Sequence, residues 1–271
     1  MNIAWRRKFA WSYERQWWWD FCPRGYYYNY IMEWEQGIDK QKLMTLKSLL
    51  SREELQRNLI LEGIEELIKG NSLNQVKENL EQKLYQILRN PSDFLIPGEQ
   101  AYFSFEEMRK VINNYLNNFL SLFHPSGTQG YFYRLQEKVL YKGLPILVAP
   151  DFVFQDPQKV IISKLVMTSS VNPEVFNLEA CSLVLWAEEK FNIERENVSC
   201  NYYYLSEPRI ERKRYSAWEI EKWAEKIITS AHRMLVVKSI EDFSPTPSLE
   251  KCRLCKFCSI CADTRFPLRE C

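Results

Sequence analysis

The sequence predicts an α/β fold: a mixed sheet of about four or five strands flanked by helices, with a helical insertion and a cysteine-rich end. Three observations carry this. Residues 51–119 hold three capped segments of helical period. Beyond residue 130 the apolar period shortens to that of strands, and a helix-period run, 174–191, separates these strands from a further one at 198–205. Finally, four thiols fall within the ten residues Cys252-Arg253-Leu254-Cys255-Lys256-Phe257-Cys258-Ser259-Ile260-Cys261.

Composition sets the outer limits. The chain has 271 residues, enough for one large domain, and 46% of them are hydrophobic, ample for a core. Its 36 basic and 35 acidic residues nearly cancel, so any contact with nucleic acid must come from a local patch. There is no leader-like start and no apolar run near the ~20 residues a bilayer span requires. A cytoplasmic protein without membrane association is expected, and eight cysteines then suit a reducing compartment.

From the start, Trp5, Trp11, Trp17, Trp18 and Trp19 lie among Arg6, Arg7, Lys8 and Arg15. Such interleaving can stack bases, but large aromatics are more often core, and a helix burying its tryptophans is the plainer expectation. Between Gly37 and Pro125 the capping patterns Ser51-x-x-Glu54, Ser72-x-x-Gln75 and Ser104-x-x-Glu107 start three helices. Their apolar stripes are Leu55, Leu59, Ile64, Leu67 and Ile68; Val76, Leu80, Leu84, Ile87 and Leu88; and Met108, Val111, Ile112, Tyr115, Leu116 and Phe119. Strands follow at Tyr131–Leu140, Ile146–Phe154 and Val160–Val166, with turns at Gly143-Leu144-Pro145 and Asp156-Pro157.

After the helix 174–191 and the strand 198–205, Arg209, Arg212, Lys213 and Arg214 form the densest basic cluster. It suits a phosphate backbone, although Glu207 and Glu211 intersperse it as in a solvated hairpin. Ser216-x-x-Glu219 caps a last long helix ending near Leu235, and Pro245 and Pro247 break the chain before the cysteines. Cys181 and Cys200 sit in apolar-periodic segments and read as core.

Thiols two residues apart are poorly placed to bridge one another and better placed as ligands. Zinc sites normally join two C-x2-C knuckles across a longer loop, which this run lacks. It only partly matches the ferredoxin pattern C-x2-C-x2-C-x3-C-P, since Ala262 follows Cys261. Taken as C-x2-C-x5-C, the run offers Cys252, Cys255 and Cys261 and needs a fourth ligand from elsewhere. Cys22, in Phe21-Cys22-Pro23-Arg24-Gly25-Tyr26-Tyr27-Tyr28, is the natural lender. Cys258 is the alternative, which would make the centre local.

A single cysteine in a Cys-Pro-Arg-x-Tyr-Tyr-Tyr context, joined with C-x2-C-x5-C near the C-terminus, resembles the iron–sulfur branch of the RecB/AddB-type PD-(D/E)XK nucleases. That branch includes CRISPR-associated iron–sulfur nucleases and the nuclease halves of helicase–nucleases. The resemblance is strongest at 12–30 and 216–261 and weakest at 36–125. It implies one restriction-endonuclease-like domain over 1–271, a helical insertion at 36–125, and a segment at 245–271 whose [4Fe–4S] cluster closes on Cys22. The family also has a metal-binding histidine in the helical region, whereas here no histidine precedes His124.

The same resemblance points to the chemistry. Pro150-Asp151 followed by Lys164 is similar to the family's Pro-Asp … (Asp/Glu)-x-Lys pattern, and Glu137 falls where an upstream acid is common. Carboxylates would hold Mg²⁺ or Mn²⁺ against a scissile phosphate, and the lysine would polarise the attacking water. One position departs: Ile162 stands where the acid two residues before the lysine belongs, and isoleucine cannot bind a hard cation. Glu179, on the following helix, is the replacement, as in superfamily members with a migrated acid.

Two expectations follow. One is a nuclease acting on single-stranded DNA or DNA ends through Asp151, Lys164, Glu137 and Glu179, with Arg24, Arg209, Arg212, Lys213 and Arg214 on the nucleic acid. The other is a pseudo-nuclease that keeps fold and cluster as a DNA-binding or scaffolding subunit of a helicase, CRISPR or defence complex. A redox protein is a third, weaker reading.

Overall fold

The computed structural model describes residues 8–100, 104–123, 129–132, 136–156, 158–167, 173–237 and 239–265. Trp5, Arg6, Arg7, His124 and Cys271 lie outside them. The chain divides into two compact units. One gathers Trp17–Leu116 with the described part of Val237–Cys271, and the other gathers Lys8–Gln16 with Asn117–Val236. The 36–125 segment therefore falls with the cysteine-bearing ends as far as Leu116.

In the first unit the helices are α1 (Tyr13–Phe21, entering this unit at Trp17), α2 (Pro23–Tyr30), α3 (Lys40–Ser48), α4 (Arg52–Ile68) and α5 (Leu73–Arg89). Caps set their starts. Ser51 accepts from Glu54 N–H while the Glu54 carboxylate accepts from Ser51 N–H at 2.7 Å, and Asp39 and Ser72 cap α3 and α5. The stripes expected on α4 and α5 face inward at Leu55, Leu59, Ile64, Val76, Leu80, Leu84 and Ile87, while Leu67, Ile68 and Leu88 are only half-buried. Gly63 lets the helices approach: a Cβ there would lie 2.8 Å from Leu80 Cδ1 and 2.9 Å from Leu116 Cδ2.

The short helix α6 (Pro97–Gln100) and the first part of the long helix α7 (Phe105–Leu122) complete this part. Gly98 of α6 lies against the Arg253 backbone so closely that a side chain at 98 would collide with the Arg253 carbonyl. This brings α6 beside the first cysteines. Of the N-terminal tryptophans in this unit, Trp18 is buried against Phe21 and Phe257, Trp19 packs on Tyr26 and Phe243, and Trp17 remains 43% exposed, stacked on Phe21. The aromatics fill the interior next to the cysteines, as large side chains normally do.

The second unit holds two sheets. A small one has the order β1-β4-β3, from β1 (Trp11–Ser12), β3 (Glu137–Tyr141) and β4 (Leu144–Val148). The larger has the order β2-β5-β6-β7-β8, from β2 (Gln129–Phe132), β5 (Phe152–Asp156), β6 (Lys159–Val166), β7 (Val198–Tyr204) and β8 (Arg209–Lys213). β6 and β7 pair in parallel, and the crossover between them carries α8 (Pro173–Phe191). The remaining long helix is α9 (Ala217–Val236).

The expected strand Ile146–Phe154 is in fact two strands in different sheets, separated by Ala149-Pro150-Asp151. Proline has no N–H to continue a ladder, so the chain leaves the small sheet there and enters the large one with Asp151 at the junction. The expected strand Tyr131–Leu140 divides likewise into β2 and β3. Lys142 and Gly143, with φ of 46° and 79°, form the two-residue turn of the β3–β4 hairpin, where primed turns suit the strand twist.

Register sorts the large sheet into two faces. Ile162 and Lys164 stand opposite Cys200 and Tyr202, while Ser163 stands opposite Phe152 and Asn201. Phe119, Phe123, Phe152 and Tyr203 form an aromatic cluster on one face. Phe176 of α8 packs on Tyr202 on the other, with ring centroids 3.9 Å apart. β7 is buried along its whole length, as a central strand should be.

Candidate functional site

Asp151, Lys164 and Glu179 meet in the second unit. Asp151 leaves the Pro150 break with Oδ2 accepting the Leu165 N–H at 2.7 Å and Oδ1 3.5 Å from Lys164 Nζ. Lys164 Nζ donates to the Ala149 carbonyl at 2.9 Å and lies 3.0 Å from Glu179 Oε1. An ammonium has three donors, and three oxygens surround this one. The side chains of Lys164 and Asp151 are 9% and 6% exposed, whereas Glu179 reaches the surface at 22%. Two carboxylates and one ammonium leave a net single negative charge facing α8.

Two positions behave differently from this trio. Ile162 is wholly buried, set between Val153 and Cys200 in the sheet, where apolar packing takes the place of an acid. Glu137, on β3, has its carboxylate 3.2 Å from Lys190 of α8 rather than on Lys164. Cys200 lies fully buried nearby, and burial pushes its thiol up to about 12, so it serves as a neutral packing group. Burial also raises Tyr202 and Tyr215, whose hydroxyls lie 3.5 Å apart.

Hard oxygen donors converging from a strand junction and a helix are the donor set a divalent cation such as Mg²⁺ or Mn²⁺ takes, so the residues present fit that ion by chemistry. Among the described residues, no three His, Cys, Asp or Glu side chains are close enough together to hold a metal ion. Asp151 and Glu179 would supply such an ion with two carboxylates.

The basic cluster occupies the sheet edge at β8. Arg209 stacks on Tyr204 at 3.5 Å and shares Glu211 with Lys213. Burial would raise Glu211, but hydrogen bonds from Lys213 and Tyr204 outweigh it and hold the carboxyl below the usual glutamate range. Arg212 donates to Asn201 Oδ1 at 3.1 Å, and exposed Arg214 has no partner among the described residues. Arg24, in the other unit, is turned inward: its side chain is 15% exposed, donates to Phe243 O at 3.0 Å and lies 3.4 Å from Asp263.

In the first unit, Cys22, Cys252, Cys255 and Cys261 line one cavity, part of whose roughly 390 Å³ opens to solvent. Cys22 is the N-cap of α2, with Pro23 in the first helical turn where a missing N–H costs nothing. Cys252 belongs to α10 (Leu249–Arg253), and successive turns carry Cys255 and Cys258. Cys258 lines the same cavity, so both candidates for fourth partner, Cys22 and Cys258, lie beside Cys252, Cys255 and Cys261.

The cavity also joins distant chain segments. Lys251 Nζ donates to Phe21 O at 2.7 Å and Thr246 Oγ1 to the same carbonyl at 3.0 Å. Backbone N–H groups point at the sulfurs: Arg265 at Cys252, 3.3 Å away, Phe257 at Cys255 and Asp263 at Cys261. Burial pushes the Cys255 thiol up to about 12, and the neighbouring Cys22, Cys261 and Cys252 add to the rise. Thiols gathered at one cavity are soft donors, the ligand type that an iron–sulfur cluster takes.

Sequence reasoning missed several of these groups. A carbonyl such as that of Ala149 carries no residue-type signal. The i, i+4 spacing of Arg24 and Tyr28 just after Cys22 was legible and marks a shared helix face.

No family profile matches the chain, and no curated protein matches it. Among solved structures it is similar to one titled "Crystal structure of SSO0001", with 13% identity and a TM-score of 0.34, over 77% of this chain and 96% of that one. The functional reading therefore rests on the chemistry of the two sites. No helix among the described residues is long and apolar enough to cross a membrane.

Proposed function

We propose that this chain is a DNA-processing protein of the PD-(D/E)XK type carrying a [4Fe–4S] cluster, and that it hydrolyses phosphodiesters of single-stranded DNA or DNA ends. The observation that carries this reading is Glu179, whose carboxylate comes from α8 to meet Asp151 on Lys164 at 3.0 Å. It supplies from a helix the acid that Ile162 withholds from the strand. Asp151 and Glu179 would hold Mg²⁺ or Mn²⁺, which supplies charge neutralisation for the phosphate and an acidified water.

The chain's own part is positional. The Ala149 carbonyl holds the Lys164 ammonium independently of either carboxylate, so its proton donors would stay in place for a bound phosphate. The Leu165 N–H holds Asp151 in a single orientation. Arg212 and Arg214 offer exposed cations at the sheet edge. Cys22, Cys252, Cys255 and Cys261 would hold the cluster, which ties the two ends of the first unit together.

A second reading is a pseudo-nuclease serving as a DNA-binding or scaffolding subunit beside a helicase, CRISPR or other defence partner. Two observations favour it: the full burial of Ile162 and the engagement of Lys164 with the Ala149 carbonyl, Asp151 and Glu179. The deciding experiment is cleavage of end-labelled single-stranded DNA by anaerobically purified protein in Mn²⁺. The nuclease reading expects cutting that disappears in Asp151→Ala. Intact substrate with folded, brown protein selects the second reading.

A further inference from the structure

Trp218, in the first turn of α9, is 69% exposed, while the same helix turns Ile220, Ala224, Ile227 and Ala231 inward. A tryptophan left in water forgoes the burial that usually places it in a core. Lys222 follows four residues on, so the two side chains share the outer face of the helix. Its Nζ lies 5.3 Å from the Trp218 ring centroid and 5.5 Å from that of Trp223, and Lys226 continues the alternation 4.4 Å from Trp223.

Two neighbouring acids are already engaged. The Glu219 carboxylate accepts from the Ser216 N–H at 2.8 Å and the Ser216 hydroxyl at 2.7 Å, and Glu174 of α8 takes Lys226 at 2.6 Å. Lys222 makes no ion pair among the described residues, nor does exposed Arg214, four residues before Trp218 and next to β8. An exposed ring between unneutralised cations is complementary to a base joined to phosphates: the ring stacks on the base while the ammonium and guanidinium take the backbone. A duplex keeps its base faces inside the stack, so the fit is to a single strand. Placement agrees with this. Lys226 meets Glu174, and the Cys181 thiol donates to the Ile220 carbonyl at 3.3 Å, so α8 and α9 run antiparallel. Lys222 and Trp223, between the two contacts on α9, stand level with Glu179, between them on α8.

We propose that Trp218, Lys222 and Arg214 form a platform for single-stranded nucleic acid, with a base stacked on the Trp218 indole and its flanking phosphates on the two cations. The platform rests on the DNA-processing reading above for its ligand, and it needs neither the divalent ion nor the cluster to bind. It extends the basic sheet edge at β8 onto a helix that carries the strand along α8.

The test measures binding of fluorescein-labelled oligo-dT, oligo-rU and a blunt duplex by anisotropy, using the full-length, anaerobically purified protein in EDTA so that cutting is kept apart from binding. Wild type should bind the single strands more tightly than the duplex, and the tighter of the two names the strand as DNA or RNA. Trp218→Ala should weaken single-strand binding about tenfold or more, and Trp218→Phe, which keeps a ring, should recover part of the loss. Lys222→Gln and Arg214→Gln should each lower the slope of log affinity against log salt by about 0.7, a slope that Trp218→Ala leaves unchanged. If Trp218→Ala melts early, the salt slopes of the two cation variants decide. Wild-type affinity and slope in every variant, or a preference for the duplex, overturns the platform while leaving the DNA-processing reading in place. Wild-type protein that binds none of the three overturns that reading and the platform with it.

Discussion

Lys164 is the residue on which the second unit's chemistry turns. Its ammonium compensates a nearly buried Asp151, and breaking one side of such a pair leaves an unpaired buried charge. Lys164→Met should therefore cost about 3–5 kcal/mol in urea unfolding and, on the proposed nuclease reading, abolish cleavage. An unchanged unfolding midpoint would mean that the pair is solvated and the site looser than its geometry. Both Ile162 and the candidate acid Glu179 were legible as residue types. The Ala149 carbonyl was not, because its role follows from a backbone path and not from a side chain. Nor did the pattern show that Glu137 faces Lys190, since two acids on neighbouring strands look alike until register is fixed.

At the scale of elements, the positions of helices were readable from caps and periodicity, whereas sheet membership was not. The break at Pro150 turns one apolar run into two strands of two sheets, an outcome that depends on tertiary pairing more than on local propensity. The hairpin β3–β4 is tied to α9 by Glu221, which accepts from Tyr141 Oη at 2.7 Å, Lys142 at 3.1 Å and Arg195 at 3.4 Å. The hydrogen bonds from Tyr141 and Lys142 hold its carboxyl below the ordinary glutamate range. A depressed folded-state value gives a stabilisation present above the unfolded-state value and lost as pH falls through the folded one. Stability should thus decline on acidification below about pH 4.5, and Glu221→Gln should flatten that part of the pH–stability curve. An identical curve for the variant would show that the carboxylate is solvated. At 43% exposure the effect is modest.

Across the whole molecule, the organising feature is a cavity built from both ends of the sequence. The dense run from Cys252 to Cys261 announced a soft-ligand site, and the fold brings Cys22 to the cavity that this run lines. The spacing could not show this, because a residue more than 200 positions away leaves no periodic trace. A centre bound by the folded state and not by the unfolded one stabilises by mass action. Cys22→Ser should lose iron and melt at lower temperature, while Cys258→Ser retains iron. The reverse pattern, measured by metal analysis and thermal melting, would make the centre local to the C-terminal run.

The central claim is that Glu179 replaces the acid lost at Ile162. Its most direct measurement is Mn²⁺ affinity, by EPR of the free ion, for wild type and Glu179→Gln. The account predicts one Mn²⁺ site in the wild type, weakened about tenfold or more in the variant, in line with the loss of a carboxylate at a metal centre. Equal affinity in the two proteins, or no binding by either, would contradict it.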